Sequence, residues 1–131
     1  MIAVLDASAG VEIALRRPLA EHLKGYISSC RKVISSDLYK TEVTNTYWKY
    51  ITAGYITKNV GFELLRMTQG LVDEYCDIGE NNIEALSESL RLKHTSYDLL
   101  YFTLARREGA ILLSLDKRLL ELAEREGVDH L

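Results

Sequence analysis

Short apolar runs alternate along this chain with longer stretches whose apolar residues recur at helical spacing. Ile2–Leu5 is a run of the first kind, stops at Asp6, and reads as a buried strand. Ser8–Leu15 follows at helical spacing and ends near Pro18, and a second helix is predicted from Leu19 to about Cys30. Val33-Ile34 is a short strand candidate, and Ser36-Asp37 is a helix start with Asp37 as N-cap. That helix runs to about Ala53 with Val43, Tyr47, Tyr50 and Ile51 on its apolar stripe, and Gly54 ends it. Thr57 caps the next helix, whose apolar side carries Phe62, Leu65 and Val72. Tyr75–Ile78 is short enough for a strand. Asn81 or Asn82 starts a helix carrying Ile83, Leu86 and Leu90, and Thr95 or Ser96 starts another with Leu100, Leu104 and Ala105 inside, ending at Gly109. Ala110–Leu115 is the clearest strand, Asp116 opens a last helix ending near Gly127, and Val128–Leu131 can add a final short strand. Short apolar strands separated by helices predict an α/β fold with a parallel sheet covered on both faces. Ligands of such folds sit outside the carboxyl ends of the strands, so the residues just after each strand carry the interest.

Bulk properties narrow this picture a little. The length of 131 residues suits one domain able to bury a full core without staples. The net charge of -3 argues against a nucleic-acid binder that relies on a broad basic face. It leaves room for an enzyme that meets phosphates through metal, since a bound cation reverses the field of an acidic pocket. Cys30 and Cys76 lie far apart and are expected as buried, reduced thiols. The first residues lack the basic region of a signal peptide, and no stretch approaches the roughly 20 apolar residues that span a bilayer. A cytoplasmic protein with no membrane partner is the expectation.

Four carboxylates stand where the fold would put chemistry. Asp6 and Asp116 each follow a strand directly, and neighbouring strand ends would let their side chains converge. Each reads equally as the N-cap of the helix after it. Asp98, in Thr95-Ser96-Tyr97-Asp98, has the spacing of a capping box. Glu42 lies within a helix beside the apolar stripe and, by itself, reads as solvated surface. As a set the four have a chemical meaning. Crowded carboxylates raise one another's pKa, and a bound dication removes that penalty. Mg²⁺ or Mn²⁺ takes oxygen ligands, neutralises phosphodiester charge and activates water.

The ordered pieces resemble the PIN domain family and, within it, the small VapC-type toxins. Those pieces are Val4-Leu5-Asp6-Ala7-Ser8, Glu42-Val43-Thr44-Asn45, Tyr97-Asp98-Leu99-Leu100-Tyr101, Leu112 through Leu119, and the closing Ala123 and Gly127-Val128. The resemblance spans nearly the whole chain and implies a three-layer α/β/α sandwich around a short parallel sheet. It implies an Mg²⁺- or Mn²⁺-dependent ribonuclease, leaving 5′-phosphate and 3′-hydroxyl ends, with Asp6, Glu42, Asp98 and Asp116 as catalytic and metal-binding acids. Ser8, Asn45 and Ser114 match supporting polar positions, although the family often has Thr where Ser114 stands. The family often has Pro near Ser36-Asp37, a departure that touches the helix entry and leaves the acids alone. An RNA substrate, a homodimer and an antitoxin partner lying across the groove are also implied. Lys40, Lys117 and Arg118, close to the acids in sequence, are possible RNA phosphate contacts or ordinary surface charges.

Two other readings stay open beside this one. A PIN-like fold could be a non-catalytic RNA- or protein-binding module. An aspartyl phosphatase would also put an Asp after the first strand, but it wants a second Asp two residues on, where this chain has Ser8. His22, His94 and His130 show no metal-ligand spacing and read as surface or packing residues. The aromatic stretch Tyr47, Trp48, Tyr50 and Tyr55 reads as core by default, and as interface otherwise.

Overall fold

A computed structural model describes residues 1–131. The strands are β1 (Ile2–Leu5), β2 (Lys32–Ser36), β3 (Glu74–Cys76) and β4 (Ile111–Leu113). The helices are α1 (Ala7–Ala14), α2 (Ala20–Ser29), α3 (Leu38–Thr52), α4 (Lys58–Gly70), α5 (Asn82–Leu92), α6 (Ser96–Glu108) and α7 (Lys117–Glu126). All strand pairs are parallel, in the order β3-β2-β1-β4. Val4 is in register with Ile34 on one side and Leu112 on the other. The chain therefore steps outward from β1 to β2 to β3, then returns to the far side of β1. Right-handed crossovers put α1–α4 on one face and α5–α7 on the other, giving the α/β/α sandwich. The contacts agree: α1 packs on α2, α3 and α4, while α6 packs on α5 and α7. The reversal of direction opens a switch point between β1 and β4, at the strand ends that carry Asp6 and Asp116.

Ala3, Val4 and Leu5 are fully buried, as expected of a central parallel strand covered on both faces. The buried core is rich in aromatic rings that also carry hydrogen bonds. The Tyr39 hydroxyl donates to the Thr68 carbonyl at 2.6 Å. Thr68 gives its own hydroxyl proton to Leu64 O, so Tyr47 donates to Thr68 Oγ1, also at 2.6 Å. Thr68 thus ties α4 to α3 inside the core, where each of these groups would be costly left unpaired.

Several expected details come out differently. The Ser36 hydroxyl accepts from Leu38 N at 3.2 Å, while Asp37 makes no cap bond and pairs with Lys40 instead. Residues 75–78 split into β3 and a 3₁₀ turn, Ile78–Glu80, whose start is capped by Asp77. The expected final strand shrinks to one parallel bridge between His130 and Leu112, held by Leu112 N to Asp129 O and Leu131 N to Leu112 O. Asn81 starts α5 without capping it, because its amide turns inward to Leu100 O and Thr103 Oγ1. Ile83, Leu86 and Leu90 form the expected stripe on α5, yet it faces outward, with Ile83 81% exposed. Tyr47 is core, but Trp48 (60% exposed), Tyr55 and Phe62 are not. Cys30 and Cys76 are half-buried and unpaired.

Two glycines in helices make opposite predictions. A Cβ on Gly10 would lie 2.2 Å from the Tyr39 hydroxyl, which is buried and held by its bond to Thr68. A Cβ on Gly25 would meet nothing within 4 Å. Gly10→Ala should destabilise the fold by about 1–3 kcal/mol through overpacking. Gly25→Ala should stabilise it by up to about 1 kcal/mol through helix propensity. Urea denaturation of both variants checks the pair of signs.

Candidate active site

Asp6 is 5% exposed and sits where β1 turns into α1. Its Oδ1 accepts from Ala9 N at 3.0 Å, so the N-cap reading is correct as far as it goes. The same oxygen accepts from the Ser8 hydroxyl at 2.6 Å, and Oδ2 accepts from the Ser114 hydroxyl at 2.5 Å. Ser8 Oγ in turn accepts from Leu115 N at 2.9 Å, and Ser114 Oγ accepts from Asp116 N at 3.0 Å. The two serines therefore join the end of β1 to the β4–α7 turn through one carboxylate. Burial pushes the Asp6 pKa up to about 6, against the pull of its three donors, and the charge of Glu42 adds to the rise.

Glu42 reaches the same edge from α3. Its Oε1 accepts from the Tyr101 hydroxyl on α6 at 2.6 Å, a bond that crosses from one helical layer to the other. Partial burial raises its pKa, Tyr101 opposes the rise, and the charges of Asp98 and Asp116 add to it. Asp98, in the first turn of α6, is raised first by burial and then by Asp116, with His94 and Arg118 pulling it back. Asp116 caps α7 through Oδ1, which accepts from Arg118 N at 2.9 Å and Leu119 N at 3.2 Å. Glu42 thus links the set electrostatically, to Asp6 on one side and to Asp98 and Asp116 on the other, and its surface reading does not hold.

The capping box expected at Thr95 and Asp98 is not formed. Thr95 makes no cap bond, and Asp98 Oδ2 lies 3.6 Å from His94 Nδ1. His94 was expected among surface or packing residues. Its ring is largely buried, and its Nε2 has no hydrogen-bond partner. Tyr101 carried no expected role; the available signal was its spacing, one helical turn beyond Asp98.

The patterns of the PIN domain match residues 3–125. The chain belongs to the PIN domain family. Ribonuclease VapC3 of Pyrobaculum aerophilum is 30% identical over 125 residues, covering 90% of this chain and 92% of that protein. Two crystal structures share the fold. The PAE2754 protein of Pyrobaculum aerophilum superposes with a TM-score of 0.76 at 23% identity, covering 99% of this chain and 92% of its own. VapBC2 of Rickettsia felis, bound to a DNA fragment from their promoter, gives 0.71 at 15% identity, covering 100% and 98%.

The remaining expected site residues of this PIN domain are scattered. Asn45 stands exposed beside Glu42 and lines a cleft with it, without a hydrogen bond to any of the four acids. Lys40 is drawn away, paired to Asp37 at 3.1 Å and seated 4.2 Å over the Tyr75 ring. Lys117 is exposed at the start of α7. Arg118 is close enough to Asp98 to lower its pKa.

The four acids offer only hard oxygen donors, which suits a divalent cation such as Mg²⁺. As they stand, no three Asp, Glu, His or Cys side chains are close enough to ligate one ion together. Mg²⁺ needs fewer: it keeps several waters and commonly takes one or two carboxylates plus substrate phosphate. The donor set fits such an ion.

The buried Asp6 makes a pH prediction for the chelator-treated protein. Its folded pKa is raised, so the folded chain holds the proton more tightly than the unfolded one. The associated stability is present below the unfolded value of 3.8 and is lost as pH rises through about 6. Asp6→Asn should therefore gain stability relative to wild type between pH 4 and pH 7 (roughly the window set by those two values). Parallel thermal melts across that range check it; a constant difference would mean Asp6 does not titrate as described.

Proposed function

We propose that this PIN domain is an Mg²⁺- or Mn²⁺-dependent endoribonuclease, the toxin of a toxin–antitoxin pair. The observation that carries the reading is the convergence of Asp6, Glu42, Asp98 and Asp116 on one sheet edge, where three of them have raised pKa values. The name of the 30%-identical relative, a ribonuclease, supports the choice of RNA. A bound divalent cation would neutralise phosphate charge and acidify a water.

The chain's own residues supply the rest. Ser8 and Ser114 fix the Asp6 carboxylate, which keeps about one free lone pair after its three bonds. Tyr101 fixes one oxygen of Glu42 and leaves the other free. Asp98 is half-buried with a raised pKa, so it is the acid suited to take a proton from an attacking water. The phosphatase alternative wants a second Asp two residues after Asp6 as acid/base, and that position is Ser8, whose hydroxyl donates to Asp6 Oδ1.

Partners follow from the exposed apolar faces. We assign a homodimer contact to the α5 stripe of Ile83, Leu86 and Leu90, spaced like half of a helix-pair seam. We assign antitoxin docking to the α3–α4 side, where Trp48, Tyr55, Phe62 and Met67 are exposed.

Purified protein should cleave labelled single-stranded RNA with Mg²⁺ and stop when chelator is added. Asp6→Asn, Asp98→Asn and Asp116→Asn should each lower the rate by about 100-fold or more, the order of magnitude for removing electrostatic stabilisation of a transition state. Cleavage that ignores chelator, or survives in all three variants, rejects the reading in favour of a contaminant or a binding module. Leu90→Asp should shift the protein from dimer to monomer in analytical ultracentrifugation.

A further inference from the structure

The acids lie between two clefts, one in each helical layer. The first, of about 410 Å³, is lined by Ser8, Glu42, Asn45, Arg17 and Lys49. The second, of about 290 Å³, is lined by Lys93, His94, Arg118, Glu121 and Arg125. Ser8 and Glu42 join the first cleft to the acids directly. The second reaches them through His94, 3.6 Å from Asp98, and through Arg118.

The cations in these clefts are disposed differently from their neighbours. On α5 and α6, Arg91, Arg106 and Arg107 are all spent in ion pairs with Glu84, Glu88 and Glu126. Arg17 is held instead by a tyrosine: its Nη2 donates to the Tyr50 hydroxyl at 3.0 Å, and its guanidinium lies 5.4 Å from that ring's centre. This orders the guanidinium without neutralising it. Glu12 lines the same cleft and its Oε2 accepts from Leu19 N at 3.0 Å, which fixes the carboxylate in place, so Arg17 and Lys49 share this cleft with the charges of Glu12 and Glu42. In the second cleft Arg118 and Arg125 stand two turns apart on one face of α7, with Lys93 facing them from the α5–α6 connection. Glu121 between them is exposed and forms no ion pair with either arginine.

We propose that a single RNA strand crosses the acids from one cleft to the other. Its phosphates are held by Arg17 and Lys49 on the α1–α3 side and by Lys93, Arg118 and Arg125 on the α6–α7 side. The proposal rests on the ribonuclease reading and adds the path of the substrate. It also reconciles RNA binding with a net charge of -3, because the cations used lie beside the acids and need no broad basic face: the α6–α7 cleft sets Lys93, Arg118 and Arg125 against Glu121 alone, while in the other cleft Arg17 and Lys49 balance Glu12 and Glu42.

The test measures binding of a fluorescein-labelled single-stranded RNA by anisotropy in chelator over a series of salt concentrations, and cleavage kinetics with Mg²⁺. Lys49→Ala, Arg17→Ala, Arg118→Ala and Arg125→Ala should each weaken binding several-fold. Each lost phosphate contact should flatten the log–log salt slope by about 0.7. A Lys49→Ala/Arg125→Ala double variant should lose about twice that. KM should rise more than kcat falls. Arg17→Lys should retain the salt slope, which guards against a folding defect from lost packing on Tyr50. Arg31→Ala, at the amino end of β2 on the opposite edge of the sheet, should match wild type. Wild-type binding and slope in all four single variants would overturn the path, and so would losses confined to one cleft. If the wild type binds RNA and loses it in these variants but cuts nothing, the path stands and the nuclease reading falls.

Discussion

One buried carboxylate sets the terms for the rest of the molecule. Asp6 lies at the point where the sheet changes direction, and both its oxygens are occupied by donors from its own turn and from the strand end 108 residues later. A lone ionised carboxylate in that position would be prohibitively unfavourable. Three hydrogen bonds make it tolerable without making it comfortable, and its pKa stays raised at about 6. The serines also satisfy the backbone N–H groups of Leu115 and Asp116, so the network shapes the β4–α7 turn that delivers the last acid. The hydrogen bonds that close the switch point are therefore the ones that position Asp6 and the turn before Asp116.

The other acids are held by different means. Glu42 is anchored across the layers by Tyr101, whose hydroxyl burial and the neighbouring acids drive far above the ordinary tyrosine pKa. That phenol is therefore a fixed donor rather than a proton source. Asp116 is fixed by the helix it caps. Asp98 has no strong donor of its own and only a distant imidazole beside it, so it is the least constrained of the four. A rigid frame with one freer carboxylate is an arrangement that can hold charge with most of its members and move a proton with the remaining one.

Much of this was legible in the residues, for local reasons. Asp6, Thr57 and Asp116 cap helices because short polar side chains before an apolar periodic stretch bond their own backbone. Strands ending in Asp follow from the same reading. What local pattern could not carry was pairing over long separations. Ser114 was expected only as a supporting polar residue, and the acceptor of its hydroxyl proton, Asp6, is fixed by β1 and β4 lying side by side. Likewise, the α5 stripe has helical spacing whether it faces a core or solvent, and the period does not say which. Asp37 lost the cap to Ser36 because the chain is already helical at residue 37, where a cap would need extended backbone. Arg17 carries no motif at all; its position follows from Tyr50 on a different helix.

The single bridge at His130 has a consequence for how the molecules behave in a crowd. A four-stranded parallel sheet has two open margins, each a row of unpaired amides ready to recruit another chain. The carboxy-terminal residues lie along β4 and use Leu112 N and O, closing that margin with the least possible length of strand. The opposite margin, β3, is three residues long, incompletely buried, and tagged by the Lys32–Glu74 ion pair. Neither side offers a long, flat apolar template. The sheet is thereby discouraged from growing into fibrils by edge-to-edge pairing.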